Sequence, residues 1–163
     1  MKLGKILVPL DGSALAEAVL SRAIELVKDS GAKVELLRAV EAHTIPGVDP
    51  TEAQIKVVAE GEAYLADVAA RLKADGIGDV ATSVWYGPAA YAIIEAARLR
   101  KVDLIAMTTH GRSGLGRLIL GSVAESVLRG TTVPILLDRV AEAPVERPTA
   151  EGVAAPWPEI RRG

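Results

Sequence analysis

Five short apolar runs punctuate this chain, and each is separated from the next by a stretch long enough to form a helix. The runs are KILVPL (residues 5–10), KVELLRAV (33–40), VATSVW (80–85), DLIAM (103–107) and VPILL (133–137). Between them the periodicity changes. Leu15, Val19, Ala23, Leu26 and Val27 recur at helical spacing, as do Ile55, Val58, Leu65, Val68 and Leu72. Ile93, Ile94 and Ala97 mark a third helical face, and Ile119, Val123, Ala124, Val127 and Leu128 a fourth. Continuous or alternating apolarity suits a strand, whereas spacing near 3.6 suits a helix. Their regular alternation predicts an α/β fold: an open five-stranded parallel sheet with helices on both faces, Rossmann-like in outline.

The punctuation residues agree with this division. Ser13 is a good N-cap, Pro88 opens the third helix, and Gly31 and Gly130 stand where helix-ending glycines belong. Strand order follows from polarity. The first and fourth runs are apolar throughout, as central strands covered on both faces are. The third alternates in polarity and the fifth contains Pro134, which cannot donate to a ladder, so both suit edges. With right-handed crossovers the order becomes 3-2-1-4-5. The winding then reverses between strands 1 and 4, and open α/β sheets bind ligands at such a switch point. The strand exits there are PLDGS and TTHGRSGLGRLILGS, the most polar and glycine-marked in the chain.

Half the residues are hydrophobic but only 3% are aromatic, so a single aliphatic core is expected. A net charge of -2 and so few aromatics argue against nucleic acid as a partner. The absence of cysteine excludes disulfides and thiolate chemistry, and two histidines without spaced partners argue against a metal site in the protein. No apolar stretch reaches the ~20 residues of a membrane span and the first residues lack a signal-peptide pattern, so a cytoplasmic protein is expected. Residues 1–138 read as one domain. Residues 139–163, rich in proline and mixed charge and without periodicity, read as a tail in which Trp157 lies between two prolines.

The glycine-rich exit of strand 4 can be tested against known phosphate cradles. Gly111 and Gly116 have P-loop spacing, but Arg117 and Leu118 stand where that loop needs lysine and a hydroxyl. The dinucleotide fingerprint fails too, because the first strand–helix turn is LDGS. What remains is the general anion site, made by backbone N–H groups of a glycine turn and a helix N-terminus. Gly121 and Ser122 would supply the helix start, Gly111 the close backbone approach, and Arg112 and Arg117 charge at the rim. Equally, the glycines could serve turns alone and Ser122 could only cap the helix; spacing does not decide. Asp11 either meets a ligand or starts an Asx turn. His110, with no nucleophile or carboxylate near it in sequence, reads as a loop contact to ligand or backbone. No catalytic constellation is visible, and any hydrolysis would be slow.

The run THGRSGLGRLILGSVAESVLRGTTVPILL resembles the C-terminal signature of the universal stress protein family, and KILVPLDGS resembles the family's opening strand and turn. The resemblance spans residues 1–137. It implies the 3-2-1-4-5 fold and a homodimer through the last strand (Val133, Ile135, Leu137). It also implies a role in stress response as a nucleotide-dependent sensor or regulator with unknown protein partners. ATP-binding members carry G-x-x-G-x(9)-G-[ST]; Gly111, nine further residues, Gly121 and Ser122 fit its second half. Thr108 stands at the first glycine, and a β-branched side chain there narrows the approach.

Carried over position by position, Pro9, Asp11 and Val40 would lie near adenine and ribose. The stretch Thr108 to Gly114 (Thr108, Thr109, His110, Gly111, Arg112, Ser113 and Gly114) would line ribose and phosphates, and Gly121, Ser122 and Val123 would hold the phosphates. The implied ligand is ATP, or ADP or AMP, with Mg2+ held mainly by the phosphates. Two alternatives stand beside it. One is a nucleotide-free dimeric interaction module in which Thr108 blocks the pocket. The other is an adenine nucleotide alpha-hydrolase, although PLDGSALAE lacks the S-G-G-x-D-S or H-x-G-H of such enzymes.

Overall fold

The computed structural model of the chain describes residues 2–43, 46, 47, 49–111 and 121–141. Its elements run β1 (Lys5–Pro9), α1 (Ala14–Glu17), α2 (Val19–Ser30), β2 (Lys33–Val40), α3 (Pro50–Ala74), β3 (Val80–Tyr86), α4 (Ala89–Arg100), β4 (Leu104–Gly111), α5 (Ser122–Gly130) and β5 (Ile135–Ala141). The five strands form one parallel sheet in the order β3-β2-β1-β4-β5, as the polarity pattern predicted. No described helix is long and apolar enough to cross a membrane.

Side chains alternate across each strand, so the sheet feeds two cores. Ile6, Val8, Leu36 and Ala106 pack on one face with Val19 and Ala23 of α2 and Leu65 and Val68 of α3. Leu7, Leu37, Ile105 and Met107 pack on the other with Ile93 and Ala97 of α4 and Ala124 and Val127 of α5. Both clusters are aliphatic, as the composition requires.

Several local expectations are corrected. The first helix is two: α1 ends at Ala18, whose N–H bonds back to the Leu15 carbonyl before α2 begins. Gly31 does end α2 in the left-handed region (φ 71°), but Gly130 lies inside α5, which ends on extended Thr131. Ile55 is 66% exposed, because α3 buries nothing before Gly61. Leu128 is also exposed, at 52%. Strand β4 does not stop at Met107 but runs to Gly111, since β5 continues past Leu137 and supplies partners as far as Ala141. Pro134 precedes β5; its carbonyl accepts from the Ile105 N–H, so the missing donor costs the ladder nothing. Residues 142–163, most of the expected tail, lie outside the described residues.

A polar clasp ties α1 to α3. The Tyr64 hydroxyl donates to Glu17 (2.8 Å) and the Arg71 guanidinium donates to the same carboxylate (2.9 Å). Burial alone would push the Glu17 carboxyl up, but the bonds from Tyr64 and Arg71 and the Arg71 charge outweigh it and hold Glu17 below the usual carboxylate range. Burial, then the bond to Glu17, pushes the Tyr64 phenol well above its ordinary value. A lowered folded pKa means that Glu17 contributes fully above the ordinary value of 4.5 and loses that contribution as pH falls through the folded value. We therefore expect Glu17→Gln to lower stability by about 1 kcal/mol at pH 7, with the difference from wild type vanishing in acid. Urea denaturation at pH 7 and pH 3 measures this; a difference that persists undiminished in acid would remove the electrostatic account.

Candidate functional site

The crevice lies where the chain changes winding direction, at the carboxyl ends of β1 and β4. A cavity of about 230 Å3 opens there among the described residues. Pro9, Leu10 and Asp11 leaving β1 form its floor, with Leu37 and Ala39 of β2 beside them. Ser13, Leu15 and Ala16 at the start of α1 form one wall, and Gly121 to Ala124 at the start of α5 another. Ala89 and Ile93 of α4 and Met107, Thr108 and Thr109 of β4 complete it. The sheet places the starts of α1, α4 and α5 on one hollow because each follows a parallel strand whose carboxyl end lies at that edge of the sheet.

The first turn is built to hold its shape. The Ser13 N–H donates to Asp11 Oδ1 (2.8 Å), and the Ser13 hydroxyl accepts from the Ala16 N–H (3.1 Å), capping α1. Gly12 sits at φ 89°, where side chains are strained, and a Cβ there would also stand 3.4 Å from the Arg38 guanidinium. Arg38 in turn lies over the Tyr64 ring, 4.8 Å from its centre. Asp11 thus starts an Asx turn and lines the cavity as well, and it is the one charged side chain among the described lining residues. The two readings of Asp11 are compatible.

The start of α5 differs. Gly121 is the N-cap and has no side-chain cap bond; Ser122 is the first helical residue. The expectation that Ser122 might serve only as a cap is therefore corrected. The Glu125 N–H makes the first backbone bond back, to the Gly121 carbonyl (2.9 Å). The N–H groups of the first turn before it have no partner within the helix and face a cavity edge that carries the positive end of the helix dipole. Val123, expected on the buried face, is 37% exposed and lies at the rim.

Of the residues singled out from sequence, Pro9, Asp11, Thr108, Gly121, Ser122 and Val123 meet in this cavity. Val40 does not line it. Val40 shares strand parity with Leu36, so its side chain turns to the α3 face, where a Cβ on Gly61 would meet it at 3.3 Å. Its carbonyl accepts from the Gly87 N–H (2.9 Å). His110 and Gly111 belong to β4 rather than to a loop, paired with Val140 and Ala141. Arg112, Ser113, Gly114 and Arg117 lie outside the described residues. Sequence reasoning missed Ser13 and Ala39 as lining residues, whereas Thr109 falls within the stretch that motif position had assigned. Parity accounts for its placement: Ile105, Met107 and Thr109 fall on one face once β4 is extended.

Comparisons with known proteins converge on one family. The model of the universal stress protein family matches residues 2–139. Universal stress protein MJ0531 of Methanocaldococcus jannaschii is 33% identical over 138 residues, covering 82% of this chain and 80% of its own length. The crystal structure of a universal stress protein family member from Burkholderia pseudomallei superposes with a TM-score of 0.68 at 31% identity, covering 84% of this chain and 96% of that one. A universal stress protein solved in complex with cAMP superposes with a TM-score of 0.67, covering 85% of this chain and 98% of its own; at 23% identity that likeness is one of fold.

Proposed function

Because the chain belongs to the universal stress protein family, we propose that it binds an adenine nucleotide in the cleft between α1 and α5 and acts in stress response as a dimeric sensor or regulator. The observation that carries the reading is the convergence of Asp11, Thr108 and the uncapped start of α5 on one cavity at the switch point. A mainly apolar floor of Pro9, Leu37 and Met107 suits a flat base, and the α5 N-terminus suits phosphate oxygens. That the fold can hold such a ligand is illustrated by the cAMP complex of its structural neighbour. ATP is the nucleotide named by the G-x(9)-G-S half of the motif, with Mg2+ held mainly by the phosphates. Binding would change the surface that the crevice offers to protein partners.

The dimer would form through β5. This edge strand carries half-buried Ile135 and Leu137, with Val133 just before it, and among the described residues no strand neighbours its outer edge. A second copy pairing there would cover both.

Calorimetric titration with ATP, ADP and AMP in magnesium tests the ligand. Saturable binding at or below millimolar nucleotide is expected, with adenine nucleotide co-purifying by mass spectrometry. Absence of binding by wild type together with binding by Thr108→Gly would favour the nucleotide-free module, in which the Thr108 side chain, which lines the cavity, closes it.

A further inference from the structure

The long helix α3 outruns the core it packs on. It spans 25 residues and buries nothing before Gly61, yet its first turns carry Ile55, Val58 and Ala59 along one side. Ile55 is largely exposed, and Tyr86, the last residue of β3, is 48% exposed. Among the described residues an open hollow of about 400 Å3 lies between them, lined by Gln54, Ile55, Val58, Ala59, Glu62 and Tyr86. An apolar cluster rimmed by polar residues is the kind of surface that receives a partner. Glu62 is the one charged residue of that lining, so the hollow is apolar with an acidic end.

The chain itself carries a segment of complementary chemistry. Residues 156–162 read PWPEIRR, with Trp157 between two prolines, then Ile160 and two arginines. They lie beyond residue 139, where the family match ends, and outside the described residues. Their reach is sufficient. The sheet is parallel, so Tyr86 and Ala141 close β3 and β5 at the same edge, four strand spacings apart. At ~4.8 Å each this is about 19 Å. The sixteen residues from Ala141 to Trp157 can span up to about 50 Å.

We propose that residues 156–162 fold back onto the domain of the same chain and occupy the hollow between α3 and β3 as an extended, polyproline-type segment. Prolines hold such a backbone open at little entropic cost, and aromatic-lined grooves receive it. Three residues make one turn of ~9 Å, so Trp157 and Ile160 face the same way. Ile55 and Glu62 stand ~10 Å apart along α3, a matching span. Trp157 then packs on Ile55 and Tyr86, Ile160 packs on Val58 and Ala59, and Arg161 reaches Glu62. Charge sets this direction, because the reverse would lay Arg161 on the apolar end.

The chain has no cysteine, so an introduced pair reports proximity without background. The full chain carrying Ala59→Cys and Ile160→Cys is treated with oxidised glutathione beside one carrying Leu99→Cys and Ile160→Cys, each first checked for wild-type circular dichroism. Leu99 is exposed in the last turn of α4, at the opposite edge of the sheet, and reports random collision. The first pair should close a disulfide within one chain about tenfold faster than the second, because docking raises the effective concentration. Adding Trp157→Ala should return it to the rate of the second. Equal rates in the two pairs overturn the proposal and leave the hollow to another occupant. A fast cross-link that joins two copies also overturns it, by giving the surface to a second copy. A fast rate untouched by Trp157→Ala overturns the anchoring on which the proposal stands.

Discussion

Gly121→Val is expected to reduce adenine nucleotide affinity by at least a hundredfold while the protein stays folded. Gly121 has φ -58° and ψ 150°, a conformation that valine adopts freely, so backbone strain contributes nothing. Its place is what matters. It is the N-cap of α5, it lines the cavity, and it carries no side chain between the ligand and the first-turn N–H groups. A branched side chain there fills the space in which phosphate oxygens would sit and screens them from the helix end. Loss of a glycine cap costs the helix about 1 kcal/mol at most. Calorimetry with ATP and AMP, beside a thermal melt, separates the two effects. Wild-type affinity in the folded variant would remove the start of α5 from the site.

Ile105→Ala is expected to have the largest effect on stability, a loss of about 2–5 kcal/mol. Ile105 is fully buried on a central strand, opposite Leu7 of β1 on one side and Ile135 of β5 on the other. Its side chain belongs to the cluster under α4 and α5 that also contains Leu37, Met107 and Val127. Strands on both sides and helices above leave little room to collapse around the missing atoms, so cavity cost adds to lost burial. Urea denaturation should show a lower midpoint at an unchanged m-value. A loss under 1 kcal/mol would mean that this face of the sheet repacks. Because Met107 of the same cluster also lines the crevice, nucleotide affinity should fall with stability.

The strand order was legible because burial leaves a mark on composition. IAM within β4 and ILV within β1 are apolar without alternation, as strands covered on both faces are, whereas β3 alternates and proved to be an edge. The switch point followed, and with it Pro9, Asp11, Gly121 and Ser122. The limits of β4 were not legible. Thr108 to Gly111 are strand residues because the backbone of Asp138 to Ala141 pairs with them, and no side-chain pattern records that. Ile55 and Leu128 have the spacing of buried residues and are exposed, since periodicity says which residues share a face and not how far along a helix its neighbour extends. Val40 was assigned by motif position, which carries no information about the side of the strand its side chain leaves from.

The sequence by itself determined the alternation of elements, the centre and edges of the sheet, and the membership in a family that both its terminal motifs and the family match support. These depend on local spacing and on how much of each segment must leave water, and both are written along the chain. Only the tertiary structure decided that Asp11, Thr108, Thr109 and the start of α5 share one cavity, that Val40 turns away from it, and that among the described residues the Thr109 hydroxyl has no partner. Those facts arise where strands more than ninety residues apart in sequence lie side by side. There the register of the backbone ladder, which side chains do not announce, sets which atoms meet.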